Sequence, residues 1–253
     1  MFHGKEPLMT PEEFRQSLLD QGITVTDQQL AQFDYYYHFL VETNEHVNLT
    51  AITDREEVYL KHFYDSILGA IAQPKLQTEA WTLCDIGAGA GFPSLPLKIL
   101  FPQLKVTIVD SLNKRIKFLQ DLCDQLGLTE VTLVHDRAET FSAKNSPYRE
   151  QYDLVTARAV ARLVVLSELC LPAVKVGGQF MAYKATAAQD ELQVAQGATN
   201  KLGGQLTDVK TLSLPSQPAE ERNFVLINKV AATPGKYPRR PGVPNKKPLV
   251  NVK

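Results

Sequence analysis

The chain has 253 residues, of which 44% are hydrophobic and 22% charged, and its formal net charge is -1. This length allows one large domain or a domain with an appendage, and the apolar content can build a substantial core. No window approaches the roughly 18 apolar residues of a membrane span, and the N-terminus mixes charges and prolines where a signal peptide needs an apolar run. We therefore expect a soluble cytoplasmic protein without a membrane partner.

The first 75 residues show the pattern of consecutive helices. Thr10, Thr26 and Thr53 each precede a Glu or Gln by three residues, which is the sequence signature of a capping box at a helix N-terminus. The apolar residues between these caps keep near-helical spacing. We interpret residues 1–78 as an N-terminal helical extension.

From Trp81 onward, short β-branched runs alternate with helical segments. The runs are WTLCDI, VTIVD, VTLVH, YDLVTA and GQFMAY. This alternation is typical of parallel βαβ units with helices on both faces of one sheet. Two further runs, 205–214 and 222–230, are joined by only a short connection, which permits an antiparallel pair at one edge. The pattern predicts an α/β core over residues 79–232.

The C-terminal segment concentrates positive charge. From Lys229 to the end there are seven basic residues and no acidic one, which leaves residues 1–228 with 20 basic and 28 acidic side chains. Five prolines and no periodicity predict an extended basic tail over 233–253. This tail could follow a phosphate backbone or merely aid solubility, and its removal should leave the binding of a small cofactor in the core intact. Four other cations could extend such a rim: Lys114, Arg115, Arg162 and Lys184.

The cysteines and histidines do not indicate a metal site. Cys84, Cys123 and Cys170 are odd in number, far apart and set in apolar runs, which predicts reduced, buried thiols. The histidines lack the spacing of metal ligands. We expect no bound metal ion.

The most informative stretch is LCDIGAGAGFPSLP at residues 83–96, where glycines follow an apolar run. A dinucleotide fingerprint needs a small residue where this chain has Phe92, and a phosphate-binding P-loop needs Lys-Ser or Lys-Thr at the end of the turn. What fits is an acidic residue followed by three alternate glycines. This resembles the first motif of class I S-adenosylmethionine-dependent methyltransferases; a tight turn without a ligand is the alternative.

Residues at the ends of the following strands extend the candidate site. Asp110 closes the second strand 19 residues after Gly91, where a carboxylate can accept hydrogen bonds from both ribose hydroxyls. Ala138 and Glu139 follow the third strand and could frame an adenine. Arg158 follows the fourth strand, with a surface salt bridge as its alternative role.

The sequence KHFYDS is open to two interpretations. His62 and Asp65 lie about one helical turn apart, but no G-x-S-x-G elbow accompanies them to make a hydrolase triad. We predict a polar helix face near the mouth of the site, which serves either helix packing or substrate contact.

Several motifs together resemble the RsmG (GidB) family of bacterial 16S ribosomal RNA guanine-N7 methyltransferases. They are NLTAIT, KHFYDS, DIGAGAGFPSLPLKI, VDSLNKR, HDRAETF, TARAVARL and YPRRPGVPNKKPL, and they span nearly the whole chain. The resemblance implies a Rossmann-like core with a mostly parallel seven-stranded sheet, S-adenosyl-L-methionine as cofactor, and 16S ribosomal RNA or the small ribosomal subunit as partner. We expect a monomer.

The resemblance places cofactor contacts on residues that match the family motifs. With the loop and strand-end positions added, the candidate cofactor-binding set is Asp85, Gly87, Gly89, Gly91, Phe92, Asp110, Ser111, Leu112, Ala138, Glu139 and Arg158. Arg158 is also the candidate catalytic residue, in a positioning or electrostatic role. Guanine N7 carries no proton, so the transfer requires no general base. Two alternatives stay open: a methyltransferase acting on a small molecule, and a non-catalytic nucleotide- or RNA-binding ribosome-assembly factor.

Overall fold

A computed structural model describes residues 9–158, 161–185, 189–216 and 218–250. Its seven strands are β1 (Thr82–Ile86), β2 (Lys105–Asp110), β3 (Val131–His135), β4 (Tyr152–Arg158), β5 (Val174–Lys184), β6 (Gly204–Leu214) and β7 (Glu220–Lys229). Its α-helices are α1 (Pro11–Asp20), α2 (Asp27–Asn44), α3 (Arg55–Val58), α4 (Asp65–Ala72), α5 (Lys75–Thr78), α6 (Ser94–Leu100), α7 (Asn113–Leu126), α8 (Ala138–Phe141), α9 (Leu163–Cys170), α10 (Gln189–Lys201) and α11 (Val243–Lys246). A π-helical turn, Tyr59–Tyr64, joins α3 to α4.

The strands form one sheet in the order β3-β2-β1-β4-β5-β7-β6. Strands β1 to β5 pair in parallel, whereas β7 runs antiparallel to both β5 and β6. The predicted α/β class and the antiparallel edge pair are confirmed. Because the parallel strands all end at the same edge, side chains that follow β1, β2, β3 and β4 converge there.

Helices cover both faces of the sheet. On one face the N-terminal helices pack with α6 and α7 into a continuous core, in which Phe14 and Phe33 make an edge contact with ring centroids 5.0 Å apart. On the other face α8, α9 and α10 pack over Val155 and Phe180. The N-terminal helices therefore share the core of the sheet. Within the described ranges, no helix has the length and apolar character that crossing a membrane requires.

Two of the three predicted capping boxes are confirmed. Thr10 and Thr26 each accept a hydrogen bond from the backbone three residues on, and the side chain at that position returns one. The third prediction is wrong by one residue, because the N-cap of α3 is Asp54, which accepts from the Glu57 N–H at 3.1 Å, and not Thr53. Asp and Thr are both favoured N-cap residues, so the capping-box pattern alone does not settle which of these two neighbours is the N-cap.

The C-terminal segment differs from the predicted extended tail. We call residues 231–247 the C-terminal strap, because they lie against the core and include the short helix α11. Lys229 is only 1% exposed and donates to the Thr233 hydroxyl at 2.6 Å. Arg149 donates to the Thr233 carbonyl at 2.6 Å and to the Tyr237 carbonyl at 2.8 Å. The strap is thus fixed by buried polar groups.

The strap presents fewer free cations than the sequence suggests. Arg239 makes a two-pronged ion pair with the buried carboxylate of Glu168, at 2.6 Å for the shortest contact. Burial lowers the pKa of Lys229 to about 8. Both side chains therefore serve the fold, and the exposed cations are Lys236, Arg240, Lys246 and Lys247. Lys253, also counted in the basic tail, lies outside the described residues.

Candidate functional site

A cavity of about 510 Å³ opens at the edge where the parallel strands end. The glycine loop after β1 forms its floor, with Gly87 and Gly89 at φ of 78° and 61°. Of the eleven predicted cofactor-binding residues, the lining contains Gly87, Gly89, Phe92, Asp110, Ser111, Ala138, Glu139 and Arg158. The structure thus brings together residues from four separate βα connections.

Three predicted residues lie outside the lining, namely Asp85, Gly91 and Leu112. Asp85 is fully buried beneath the loop and accepts from the Ser94 N–H at 3.1 Å, so it holds the turn into α6. Gly91 has φ of 99°, and a Cβ there would lie 2.7 Å from the Tyr36 hydroxyl. Leu112 is 41% exposed beside the start of α7. Asp85 and Gly91 therefore shape the loop from behind.

Asp110 ties the second strand to the glycine loop. Its carboxylate accepts from the Gly89 N–H at 3.2 Å and from the Leu112 N–H at 2.9 Å, and Arg115 lies 3.3 Å away. These three bonds fix the carboxylate at the cavity wall and use three of its roughly four acceptor sites. About one site is left to accept a hydrogen bond from a ligand hydroxyl.

An aromatic layer closes the cavity opposite the sheet. The Phe92 ring stacks on the His62 ring, with centroids 4.5 Å apart and planes 14° apart, and on the Tyr36 ring at 5.4 Å. The Tyr36 hydroxyl donates to the Ala90 carbonyl in the loop. Residues of the N-terminal helices thus hold the loop in place, so the extension is part of the site.

Arg158 lies at the end of β4 within a network of polar side chains. One guanidinium nitrogen donates to Asp65 at 2.8 Å, the other lies 3.3 Å from His62 Nδ1, and the group sits 5.1 Å from the Phe92 ring centroid. Arg158 does form an ion pair, as its alternative role supposes, but the pair with Asp65 is largely buried and does not lie on the surface. Burial, assisted by the charge of Arg158, lowers the pKa of His62 to about 3, so His62 is neutral at physiological pH.

The strap reaches the same cavity from the opposite end of the chain. The Gly242 N–H donates to Glu139 Oε1 at 2.7 Å, and Glu139 lines the cavity beside Ala138. The sequence predicted Glu139 as a site residue, and its side chain lines the cavity, but the sequence assigned the strap no part in the site. A residue 103 positions away leaves no local sequence signal for such a contact.

Sequence reasoning also missed several lining residues. Thr50, in the loop before α3, lines the cavity and its hydroxyl lies 2.8 Å from His62 Nε2. Arg115 was expected on a phosphate-facing rim but lines the cavity against Asp110. The sequence placed His62 near the mouth of the site, and in the structure its side chain lines the cavity. The quoted motifs NLTAIT and KHFYDS contain Thr50 and His62, but nothing in either motif specifies the pairing.

The topology and the glycine loop after β1 define a class I methyltransferase fold. A transferase from Pyrococcus horikoshii superposes with a TM-score of 0.51 at 15% identity, covering 65% of this chain and 64% of that one. TYW2 of M. jannaschii in complex with AdoMet superposes with a TM-score of 0.50 at 13% identity, covering 65% of this chain and 76% of that one. At these identities the likeness concerns the fold alone.

Sequence comparison identifies the family. Residues 29–224 match the model of the GidB family, rRNA small subunit methyltransferase G, and the chain belongs to that family. A ribosomal RNA small subunit methyltransferase G from Limosilactobacillus fermentum is 76% identical over 245 residues, which cover 96% of this chain and 100% of the relative. The corresponding protein of Limosilactobacillus reuteri is 69% identical over 241 residues, covering 95% and 100%. The family resemblance predicted from the motifs is confirmed.

Proposed function

We propose that this protein transfers a methyl group from S-adenosyl-L-methionine to N7 of one guanine in 16S ribosomal RNA. The observation that carries the proposal is the cavity in which the glycine loop, Asp110 and Arg158 meet in a chain of the GidB family. S-adenosyl-L-methionine, when bound, supplies an electrophilic methyl group on a sulfonium. The side chains that line the cavity bind and orient the reactants.

The residues present fit this cofactor. A Cβ built on Gly89 would meet no protein atom within 4 Å, so the loop leaves open space where a ligand can approach the backbone. Asp110 would accept hydrogen bonds from the ribose hydroxyls, and Ala138 and Glu139 would frame the adenine. The predicted cofactor contacts Asp85, Gly91 and Leu112 would act by shaping the loop and the start of α7.

Arg158 would position the guanine and does not act as a base. Arginine commonly donates to guanine O6, which leaves the N7 lone pair free when a single donor is used. Asp65 balances the charge of Arg158 at 2.8 Å and holds its orientation. Since N7 carries no proton, positioning and exclusion of water are sufficient, and the neutral His62 ring supports both by packing on Phe92.

We propose that the exposed cations of the strap contribute to RNA binding. Arg240, Lys246 and Lys247 are exposed on the segment that donates a hydrogen bond to Glu139, so a phosphate backbone held there would pass near the cofactor cavity.

We further propose that the protein acts as a monomer in the cytoplasm. Ribosomal RNA as the substrate of the family supports the cytoplasmic location.

Radiolabelled methyl transfer from S-adenosyl-L-methionine to purified small-subunit RNA tests the function. We expect label in the RNA, released as 7-methylguanosine on digestion, and a loss of at least tenfold in rate for Arg158→Gln. Label on another guanine atom would contradict N7 as the target. Cofactor binding without any transfer to RNA would instead favour the non-catalytic alternative.

A further inference from the structure

A second cavity, of about 320 Å³, adjoins the cofactor cavity. The two share His62 and Arg158, so these side chains form a common wall. The second cavity lies between the π-helical turn and the ends of β5 and β7, on the side away from Asp110. Its volume falls at the lower end of the range of about 300–1,000 Å³ that is typical of small-ligand sites.

Positive charge dominates the lining of the second cavity. Its cations are Lys61, Arg158, Lys184 and Arg222, and Asp65 is the carboxylate among its described lining residues. His62 adds no charge, because burial lowers its pKa to about 3. The lining therefore presents four cationic hydrogen-bond donors to a ligand, and an anion can share them with the carboxylates that pair with them.

The carboxylates that pair with these cations approach them from outside the lining. Lys184 Nζ lies 2.8 Å from Glu191, Arg222 Nη2 lies 3.0 Å from Glu220, and Lys61 Nζ lies 3.1 Å from Glu57. These contacts weaken the field of each cation but also hold its charged group in place. An anion that enters the cavity meets donors that are already ordered, so it loses less free energy to side-chain ordering.

Asp65 links the two cavities. It lies 2.8 Å from Arg158 and 2.9 Å from Arg222, and its side chain is 7% exposed. A buried carboxylate between two guanidinium groups fixes their separation. Arg158 can then face the reaction site while Arg222 faces the second cavity.

We propose that the second cavity binds a phosphodiester group of the RNA strand next to the target guanosine, with Lys184 and Arg222 as its main contacts. The proposal rests on the proposed function and specifies where the substrate strand leaves the reaction site. A nucleobase fits the cavity less well than a phosphate. Besides His62, the aromatic residue among the described lining residues is Tyr183. Tyr183 is only 4% exposed, and its hydroxyl donates to the Ser66 carbonyl at 2.9 Å. Stacking of a base requires an accessible ring face.

Two charge-removing variants test the phosphate site, Lys184→Gln and Arg222→Gln. Each should raise the KM for small-subunit RNA about tenfold and flatten the logarithmic salt dependence of RNA binding by roughly 0.7–0.9. In Lys184→Gln, affinity for S-adenosyl-L-methionine, measured by calorimetry, should change less than twofold, because Lys184 neither lines the cofactor cavity nor pairs with Asp65. Arg222→Lys keeps the charge and should restore the salt dependence.

The matched control is Lys105→Gln. Lys105 is also a cation in an ion pair, with Glu130 at 3.5 Å, but it lies at the start of β2, away from the strand ends that form the site. It should leave the RNA parameters unchanged. Thermal unfolding confirms that each variant is folded, and Lys184→Gln carries the test by itself if Arg222→Gln exposes Asp65 and unfolds.

Three results would overturn the inference. Wild-type KM and salt dependence in folded Lys184→Gln would show that no phosphate binds there. A loss of cofactor affinity as large as the loss of RNA affinity would assign the cavity to the cofactor. Failure of the wild-type protein to methylate RNA would reject the proposed function itself, a separate outcome because it appears before any variant is made.

Discussion

The glycine loop and the C-terminal strap both support the wall of the proposed cofactor cavity, but they do so in different ways. The loop is a local structure, whose glycines at positive φ follow one strand within a few residues. The strap reaches Glu139 through the Gly242 N–H from 103 residues away. A local sequence motif encodes the glycine loop, whereas the contact between the strap and Glu139 exists only because the chain folds back on itself. Variants in the loop and in the strap should therefore differ in how they affect stability, cofactor binding and RNA binding.

The largest effect should come from Gly91→Val in the loop. A side chain there must adopt a left-handed backbone and would contact the Tyr36 hydroxyl at 2.7 Å, so we expect a loss of about 2–5 kcal/mol in the free energy of unfolding. Denaturant unfolding measures this loss. Gly89→Val is the matched control, because its Cβ meets no protein atom within 4 Å. It should lose cofactor affinity with a smaller loss of stability, and equal destabilisation of the two variants would contradict the assignment.

Asp110→Ala should have the next largest effect. Loss of charge-assisted hydrogen bonds to the ribose should weaken the binding of S-adenosyl-L-methionine by about 1.5–3 kcal/mol. Calorimetry on the folded variant measures this change. Asp121→Ala, at an exposed position on α7, serves as the control and should bind normally. Unchanged affinity in Asp110→Ala would remove this carboxylate from the site.

Truncation after Pro241 tests the strap. The sequence alone predicted that loss of the tail would spare cofactor binding, but removal of Gly242 leaves Glu139 without its backbone donor. We expect cofactor affinity to fall by about 0.5–1.5 kcal/mol, the scale of one hydrogen bond, while Arg239 keeps its contact with Glu168. The double variant Lys246→Gln/Lys247→Gln retains Gly242, and it should reduce only RNA affinity and its salt dependence. Equal cofactor affinity in the truncated and full-length proteins would support the sequence-based prediction that the C-terminal segment plays no part in cofactor binding.

The smallest effect should be that of pH on the chemical step. No catalytic base is required and burial lowers the pKa of His62 to about 3, so the single-turnover rate should be nearly flat from about pH 6 to pH 9. Burial raises the pKa of Asp85 to about 7, and Asp85 lies outside the cavity lining. Asp85→Asn is therefore the control. A sigmoidal rise in rate near pH 7 that persists in this variant would indicate a base within the site.

The sequence by itself determined the sheet, the loop and most of the residues around the cofactor cavity. The order of β-branched runs and helices gives the parallel core, because strand and helix periods are local properties of the chain. The acidic residue and alternate glycines mark the loop, and the ends of β2, β3 and β4 locate Asp110, Glu139 and Arg158. These positions follow from topology, since parallel strands end at one edge.

Only the tertiary structure decided which charged side chains are exposed to solvent and which are buried or held in ion pairs. Lys229 and Arg239 count as part of a basic tail in the sequence, yet one is buried and the other pairs with Glu168. Arg158 pairs with Asp65 across 93 residues, and burial lowers the pKa of His62 to about 3. A charge acquires its role from the groups that desolvate it and pair with it, and those groups arrive from distant parts of the chain.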